Sequence, residues 1–265
     1  MDPTARSIAG ESALDKPDML EVLDDPAQLR AKAMLLHERL CGEYGCPIGY
    51  FHSLDPLSEL ISSLLSHRTR NRDSGKAFKA IQARYGDWET VRDADPLELE
   101  ETISAVTWPD LKAKRIQDIL RLLTEQLGEP LQLDFLAEMP MAEARRWLEA
   151  LPGVGPKTSA AVLSFSLLRS AALPVDSHHH RVARRVGLIP GKMDVGPSHA
   201  ALAALLPPDW EGQDVYDHHE VFMLHGQKVC YWRNPQCERC VVADLCDAYQ
   251  RGTNVDAAGR PNKPR

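Results

Sequence analysis

Four cysteines within seventeen residues constrain this chain more than any other feature. Cys230, Cys237, Cys240 and Cys246 follow the spacing C-x6-C-x2-C-x5-C, with Arg233, Pro235 and Arg239 between them. The N-terminus lacks the basic head and apolar stretch of a secretory leader, so an intracellular chain is expected. Thiols this dense in such a chain read as metal ligands rather than disulfides. Structural zinc usually presents two short C-x2-4-C knuckles separated by a spacer. Here a single C-x2-C is flanked by lone cysteines, which better suits loops wrapped around a larger [4Fe–4S] cubane. Zinc remains the alternative, and disulfide pairing ranks third. Cys41 and Cys46 lie far off in sequence and read as buried small hydrophobes.

Outside this loop the apolar period is helical nearly everywhere. Leu57, Leu60, Ile61, Leu64 and Leu65 recur at i, i+3, i+4, i+7 and i+8 behind Asp55-Pro56, an N-cap followed by a first-turn proline. Ile116, Ile119, Leu120, Leu123 and Leu127 repeat the pattern and stop at Gly128. Further helices are expected around 74–85, 96–106, 141–150, 156–169, 177–187, 197–206 and 214–226, and no segment alternates as a strand does. The expectation is an all-α protein with short loops and loose tails at either end. No run approaches the roughly 20 apolar residues of a membrane helix.

Net charge is −7, which by itself argues against nucleic acid. The distribution argues otherwise. Between Ser66 and Arg84 stand Arg68, Arg70, Arg72, Lys76, Lys79 and Arg84 against Asp73 alone. Between Arg169 and Lys192 stand Arg169, Arg181, Arg184, Arg185 and Lys192 against Asp176. A phosphate backbone responds to such local basic faces, although solvated helix surfaces produce the same pattern.

Leu151-Pro152-Gly153-Val154-Gly155-Pro156-Lys157-Thr158 lies between two helical stretches. Two glycines around one apolar residue allow a tight hairpin with outward amides, suited to a phosphate; a plain helix–helix turn is the simpler alternative. Pro156 reads as the first helical position. Lys157 then sits in the first turn, where the helix dipole disfavours a cation and lowers the amine pKa. That placement makes a nucleophile, or an exposed lysine in a poor position. Asp176, after Pro174-Val175, can cap the next helix or face Lys157 as a carboxylate. His178, His179 and His180 point about 100° apart on a helix, which argues against their binding one metal together.

Together these residues resemble the endonuclease III family of helix–hairpin–helix DNA glycosylases. LPGVGPKTS (151–159), VDSHHHRVARR (175–185), LHGQKVC (224–230) and the cysteine spacing match in order and separation, and the likeness covers roughly residues 28–250. The resemblance implies two domains with a DNA cleft between them. A six-helix barrel would occupy 49–169, with its helix–hairpin–helix at about 141–169. A cluster domain would be built from 28–48 and 170–250, with tails at 1–27 and 251–265. It also implies a bifunctional glycosylase and AP lyase of base excision repair. Lys157 would displace an oxidised pyrimidine at C1′, and β-elimination would nick the strand 3′ of the abasic site, with Asp176 as partner. Gly153, Val154, Gly155, His178 and Arg181 would contact DNA. Arg68, where the family usually has glutamine, and Trp108 would fill the gap left by the extruded nucleotide. Trp108 as a core aromatic is the alternative. The segment between Lys112 and Leu151 is longer than in compact members, consistent with an extra turn around 132–140. A monomer at the nucleoid of a bacterial cytoplasm is expected, acting on double-stranded DNA. A lesion-binding paralogue without excision is the competing reading, because of Arg68. The adenine-mismatch branch, which lacks the lysine, and the 8-oxoguanine branch, which lacks the cluster, fit less well.

Overall fold

The computed structural model describes residues 25–253, and among them every regular element is helical. The tails expected at 1–27 and 251–265 lie almost wholly outside those residues. The helices are α1 (Pro26–Tyr44), α2 (Pro56–Ser66), α3 (Asn71–Tyr85), α4 (Trp88–Asp93), α5 (Pro96–Thr102) and α6 (Pro109–Leu127). After a 3-10 turn at Asp134–Glu138, within the expected extra turn, come α7 (Met141–Glu149), α8 (Pro156–Phe165), α9 (Ser177–Val186), α10 (Val195–Ala203), α11 (Gly212–Lys228) and α12 (Asp247–Gln250). Aspartate caps recur: Asp25, Asp55, Asp87, Asp95 and Asp176 each accept a first-turn amide. In α1, α2 and α5 a proline follows directly, where its missing N–H costs nothing.

Two apolar clusters form the main cores. The first joins Leu57, Leu60, Ile61, Leu64 and Leu65 of α2 to Ile116, Ile119, Leu120 and Leu123 of α6 and to Val162 and Leu163 of α8. The second joins Leu36 and Leu40 of α1 to Val182 and Val186 of α9, Phe222 of α11, and Cys230, Val242 and Cys246 beyond it. The start of the described chain is thus packed against its end. Lys32 Nζ lies 2.6 Å from Asp247 Oδ1, and Arg39 Nη1 lies 2.5 Å from Asp244 Oδ1, joining α1 to the cysteine loop and α12. A third, small cluster of Ala161, Phe165 and Tyr216 joins the two halves, with Tyr50 stacked on Tyr216 and Arg169 lying 3.4 Å over the Tyr50 ring. The Arg169 carbonyl comes so near Gly212 that a Cβ there would sit 1.8 Å from it, so α11 can start here only with glycine.

Several elements differ from expectation. Neither α1 nor α4 was expected. In α1 the buried positions Ala33, Leu36 and Leu40 are diluted by the less buried Ala31, Met34 and Leu35, which blurs the stripe. Helix α8 ends at Phe165 rather than 169, because Ser166 turns to extended geometry (ψ 179°); the Arg169 guanidinium then donates to the freed Phe165 carbonyl at 2.7 Å. Helix α5 ends at Thr102 rather than 106, although Ile103 and Val106 still pack into the first core. Cys41 and Cys46 are not separate buried hydrophobes but a disulfide. Gly45, at φ 82°, caps α1 and turns the chain back so that the two Cα atoms stand 5.0 Å apart.

Candidate active site

The turn before α8 is built from short-range hydrogen bonds. The Leu151 amide donates to Leu148 O and the Val154 amide to Leu151 O, each at 3.1 Å. Gly153 has φ 76°, a backbone conformation that calls for glycine; a Cβ there would also displace the end of the exposed Arg115 side chain. The Gly153 and Gly155 amides find no acceptor among the described residues. The Val154 side chain is buried in the first core and its amide donates to Leu151 O.

Pro156 occupies the first turn of α8, and Lys157 follows it, partly buried. Burial pushes the Lys157 amine below its ordinary value, while the Glu59 and Asp176 carboxylates pull it back up. Asp176 caps α9, its Oδ1 accepting the His179 amide at 2.7 Å. The capping reading of Asp176 is met, and its carboxylate also acts on the Lys157 amine through space. The end of α2 is pinned to the start of α8 where His67 Nε2 meets Thr158 Oγ1 at 2.9 Å. Burial, with Lys157, Lys112 and Arg115 nearby, pushes His67 down to about 4. Near neutral pH the lysine faces a neutral imidazole.

Two exposed loops meet beside this site. Arg68 (φ 51°) follows α2, and Trp108 (φ 53°) precedes α6; the guanidinium carbon lies 5.9 Å from the indole centroid. Thr107 Oγ1 donates to Arg68 O at 3.0 Å, and the Thr107 amide to Thr69 Oγ1 at 3.1 Å. Beneath them Lys112 Nζ donates to Leu65 O, His67 O and Thr69 Oγ1 at 2.6–2.8 Å. Trp108 is 51% exposed, which rules out the core alternative. Glu59 and Lys112 escaped the sequence reading although signals existed. Glu59 is the sole charge in α2, and Lys112 is in register with the buried Ile116, Ile119 and Leu123.

The three histidines diverge, as their helical spacing requires. His178 contacts Arg181, His179 stacks on Phe222, and His180 Nε2 meets Met193 O. Arg181 differs from a free phosphate ligand: its Nε donates to Cys230 O at 3.0 Å and an Nη to Gly226 O at 2.7 Å, so it braces α9 against the cysteine loop. Gly226 is needed for this approach, since a Cβ there would lie 2.8 Å from His178 Cβ.

Cys230, Cys237, Cys240 and Cys246 line one cavity together with Val182, Val186 and Val242. None is in a disulfide. The four thiols thus form part of one cavity wall. Four thiolates around one space fit a [4Fe–4S] cubane, one thiolate to each iron. Arg185 supports the wall, donating to Cys230 Sγ at 3.2 Å, Tyr231 O at 2.6 Å and Trp232 O at 3.0 Å. No helix among the described residues is long and apolar enough to cross a membrane.

Comparisons with known proteins agree with this geometry. A profile described as HhH-GPD superfamily base excision DNA repair protein matches residues 61–208, and one for the iron–sulfur binding domain of endonuclease III matches 233–246. The class is therefore that of a DNA glycosylase/AP lyase. Endonuclease III of Thermotoga maritima is 34% identical over 209 residues, covering 79% of this chain and 91% of that one. The Escherichia coli K12 enzyme is 28% identical over 218 residues, covering 82% and 96%. A trapped endonuclease III–DNA covalent intermediate superposes with TM-score 0.69 at 23% identity, over 82% of this chain and 95% of that one. A thermostable thymine-DNA glycosylase gives 0.70 at 23%, over 86% and 100%. The chain belongs to the endonuclease III family of the HhH-GPD superfamily, and it carries a [4Fe–4S] cluster.

Proposed function

We propose that the protein removes oxidised pyrimidines from duplex DNA and then nicks the strand by β-elimination, with Lys157 as nucleophile. The observation that carries this reading is an amine at the N-terminus of α8, lowered by burial and faced by carboxylates. The Nζ lone pair bonds to C1′ as the glycosidic bond breaks, and the base departs with the bonding electrons and takes up a proton. The C1′–O4′ bond then opens to an iminium. Loss of a C2′ proton forms the C2′–C3′ double bond and expels the 3′ phosphate. Asp176 stabilises the positive charge developing on the sugar.

Recognition has separate parts. The unpaired Gly153 and Gly155 amides suit a phosphate oxygen. Arg70, Arg72, Lys76 and Lys79 are exposed and give a salt-sensitive backbone contact. Trp108, with the 57% exposed Leu111 one turn along α6, is suited to enter the stack, and Arg68 beside it to hold the vacated space. Cys230, Cys237, Cys240 and Cys246 would hold the cluster, which pins a loop that contributes little apolar core of its own. The enzyme acts as a monomer at the nucleoid of a bacterial cytoplasm.

Product analysis on a duplex containing thymine glycol tests this. The reading expects a nick whose 3′ end bears an unsaturated aldehyde, absent with Lys157→Gln. Tight binding with no nick would favour lesion binding without excision and would make Arg68→Gln the first reversion to assay.

A further inference from the structure

Arg68 and Trp108 are exposed, non-glycine residues in left-handed backbone, at φ 51° and φ 53°, and they stand side by side on separate loops. That conformation is costly for a residue with a side chain, and it persists only where the surroundings impose it. Here the surroundings are a hydrogen-bond network centred on Thr69 and the Lys112 ammonium. Lys112 is 6% exposed, and its Nζ donates to Leu65 O at 2.6 Å and to His67 O and Thr69 Oγ1 at 2.8 Å each. Three acceptors match the three N–H groups of an ammonium. Burial, with Arg115 adding to it, pushes the amine down to about 8, so near neutral pH it keeps the third proton. Leu65 lies in the last turn of α2, so Lys112 of α6 closes the end of that helix. Thr69 Oγ1 also accepts the Thr107 amide at 3.1 Å and donates to His67 O at 3.3 Å, while Thr107 Oγ1 donates to Arg68 O at 3.0 Å. Each strained residue thus has a chain neighbour in the network, Thr69 after Arg68 and Thr107 before Trp108. Its far end reaches α8, where His67 Nε2 meets Thr158 Oγ1 at 2.9 Å, next to Lys157.

We propose that Lys112 and Thr69 are positioning residues that lock the Arg68 and Trp108 loops into one preformed insert, in fixed register with the first turn of α8. The inference rests on Arg68 and Trp108 entering the duplex. Without the lock each loop relaxes to several arrangements, and ordering them on DNA subtracts from the binding free energy. With it the strained backbone is already set in the free protein, and the two side chains enter the stack from a fixed distance to Lys157. The network acts through Arg68 and Trp108, so its own members need no contact with DNA.

The test is affinity for a duplex with a tetrahydrofuran abasic analogue, read by fluorescence anisotropy. The emission of a 2-aminopurine placed opposite the analogue, which brightens as it unstacks, is followed alongside. Thr69→Val keeps the shape of the side chain and removes its hydroxyl. It should bind on the order of tenfold more weakly and brighten the 2-aminopurine less. In a protein already carrying Arg68→Ala and Trp108→Ala, the same substitution should weaken binding no further, because the side chains it positions are gone. Lys112→Met should repeat the Thr69→Val result with a larger loss of thermal stability, since it leaves buried acceptors without a donor; where it does not fold, Thr69→Val alone decides. An equal loss of affinity from Thr69→Val in both backgrounds overturns the proposal, because a general structural role adds in this way. Wild-type affinity and emission in Thr69→Val overturn it as well. If Arg68→Ala with Trp108→Ala binds as wild type does, the insertion reading and this inference fall together. If that protein binds weakly and Thr69→Val does not, this inference alone falls.

Discussion

Asp176 caps α9, and the proposed function gives its charge a second, separable role that two substitutions divide from the first. Its side chain caps α9 through the 2.7 Å bond to the His179 amide, and its charge faces Lys157. Removing an aspartate cap costs about 0.5–2 kcal/mol, and losing a negative charge at a helix N-terminus costs about 0.3–1 kcal/mol. Asparagine caps as well as aspartate, so Asp176→Asn loses only the charge contribution, whereas Asp176→Ala loses both. For a chain of this size about 1 kcal/mol corresponds to roughly 2–4 °C in Tm. Thermal unfolding followed by circular dichroism should therefore show Asp176→Asn within roughly 1–4 °C of wild type and Asp176→Ala lower by several degrees more. Base release under single turnover should fall in both, on the order of 10²-fold, because both lack the charge. Equal destabilisation by the two substitutions would contradict the capping account. Full activity in Asp176→Asn would show that the carboxylate charge is not used in the reaction.

Three further outcomes follow from the same geometry. Trp108→Ala should leave Tm nearly unchanged, since the ring is 51% exposed, yet weaken lesion-duplex binding by about 1–3 kcal/mol in fluorescence anisotropy; unchanged affinity would take Trp108 out of the DNA interface. Gly153→Ala places a side chain at φ 76° and against Arg115, so it should destabilise the fold by about 1–2 kcal/mol and weaken binding to undamaged duplex, and a neutral result in both assays would refute the account of the turn. His179, His218 and His219 are buried and held below the ordinary histidine range, chiefly by burial. Their folded-state values lie below the unfolded one of about 6.5, so the unfolded chain takes up protons first as pH falls. Stability should be full above that value and decline below it, read as a falling Tm; a Tm flat between about pH 6.5 and about pH 4 would contradict this.

The fold was legible where one face of a helix carries its burial. Helix α2 shows the pattern plainly because Leu57, Leu60, Ile61, Leu64 and Leu65 fall on one stripe behind an aspartate–proline start. Helix α1 hid because apolar residues lie all round it, and what selects Leu36 and Leu40 is a partner surface more than a hundred residues away in sequence. The placements of Lys157 in a helix first turn and of Asp176 before a helix were readable from local signals. Glu59 was not read, because its meaning depends on α2 packing beside α8. Arg181 and Val154 show what a motif position does not reveal: Arg181 also donates to Cys230 O and Gly226 O, and the Val154 side chain also packs into the first core. Side-chain chemistry can be read locally, whereas the availability of a side chain is set by tertiary neighbours.

Borohydride trapping on duplexes bearing an abasic site and, separately, thymine glycol tests the central claim most directly. The account predicts a covalent protein–DNA adduct on both, with the cross-linked peptide containing Lys157 and no adduct from Lys157→Gln. An adduct that persists in Lys157→Gln, or one mapped to another lysine, would contradict it.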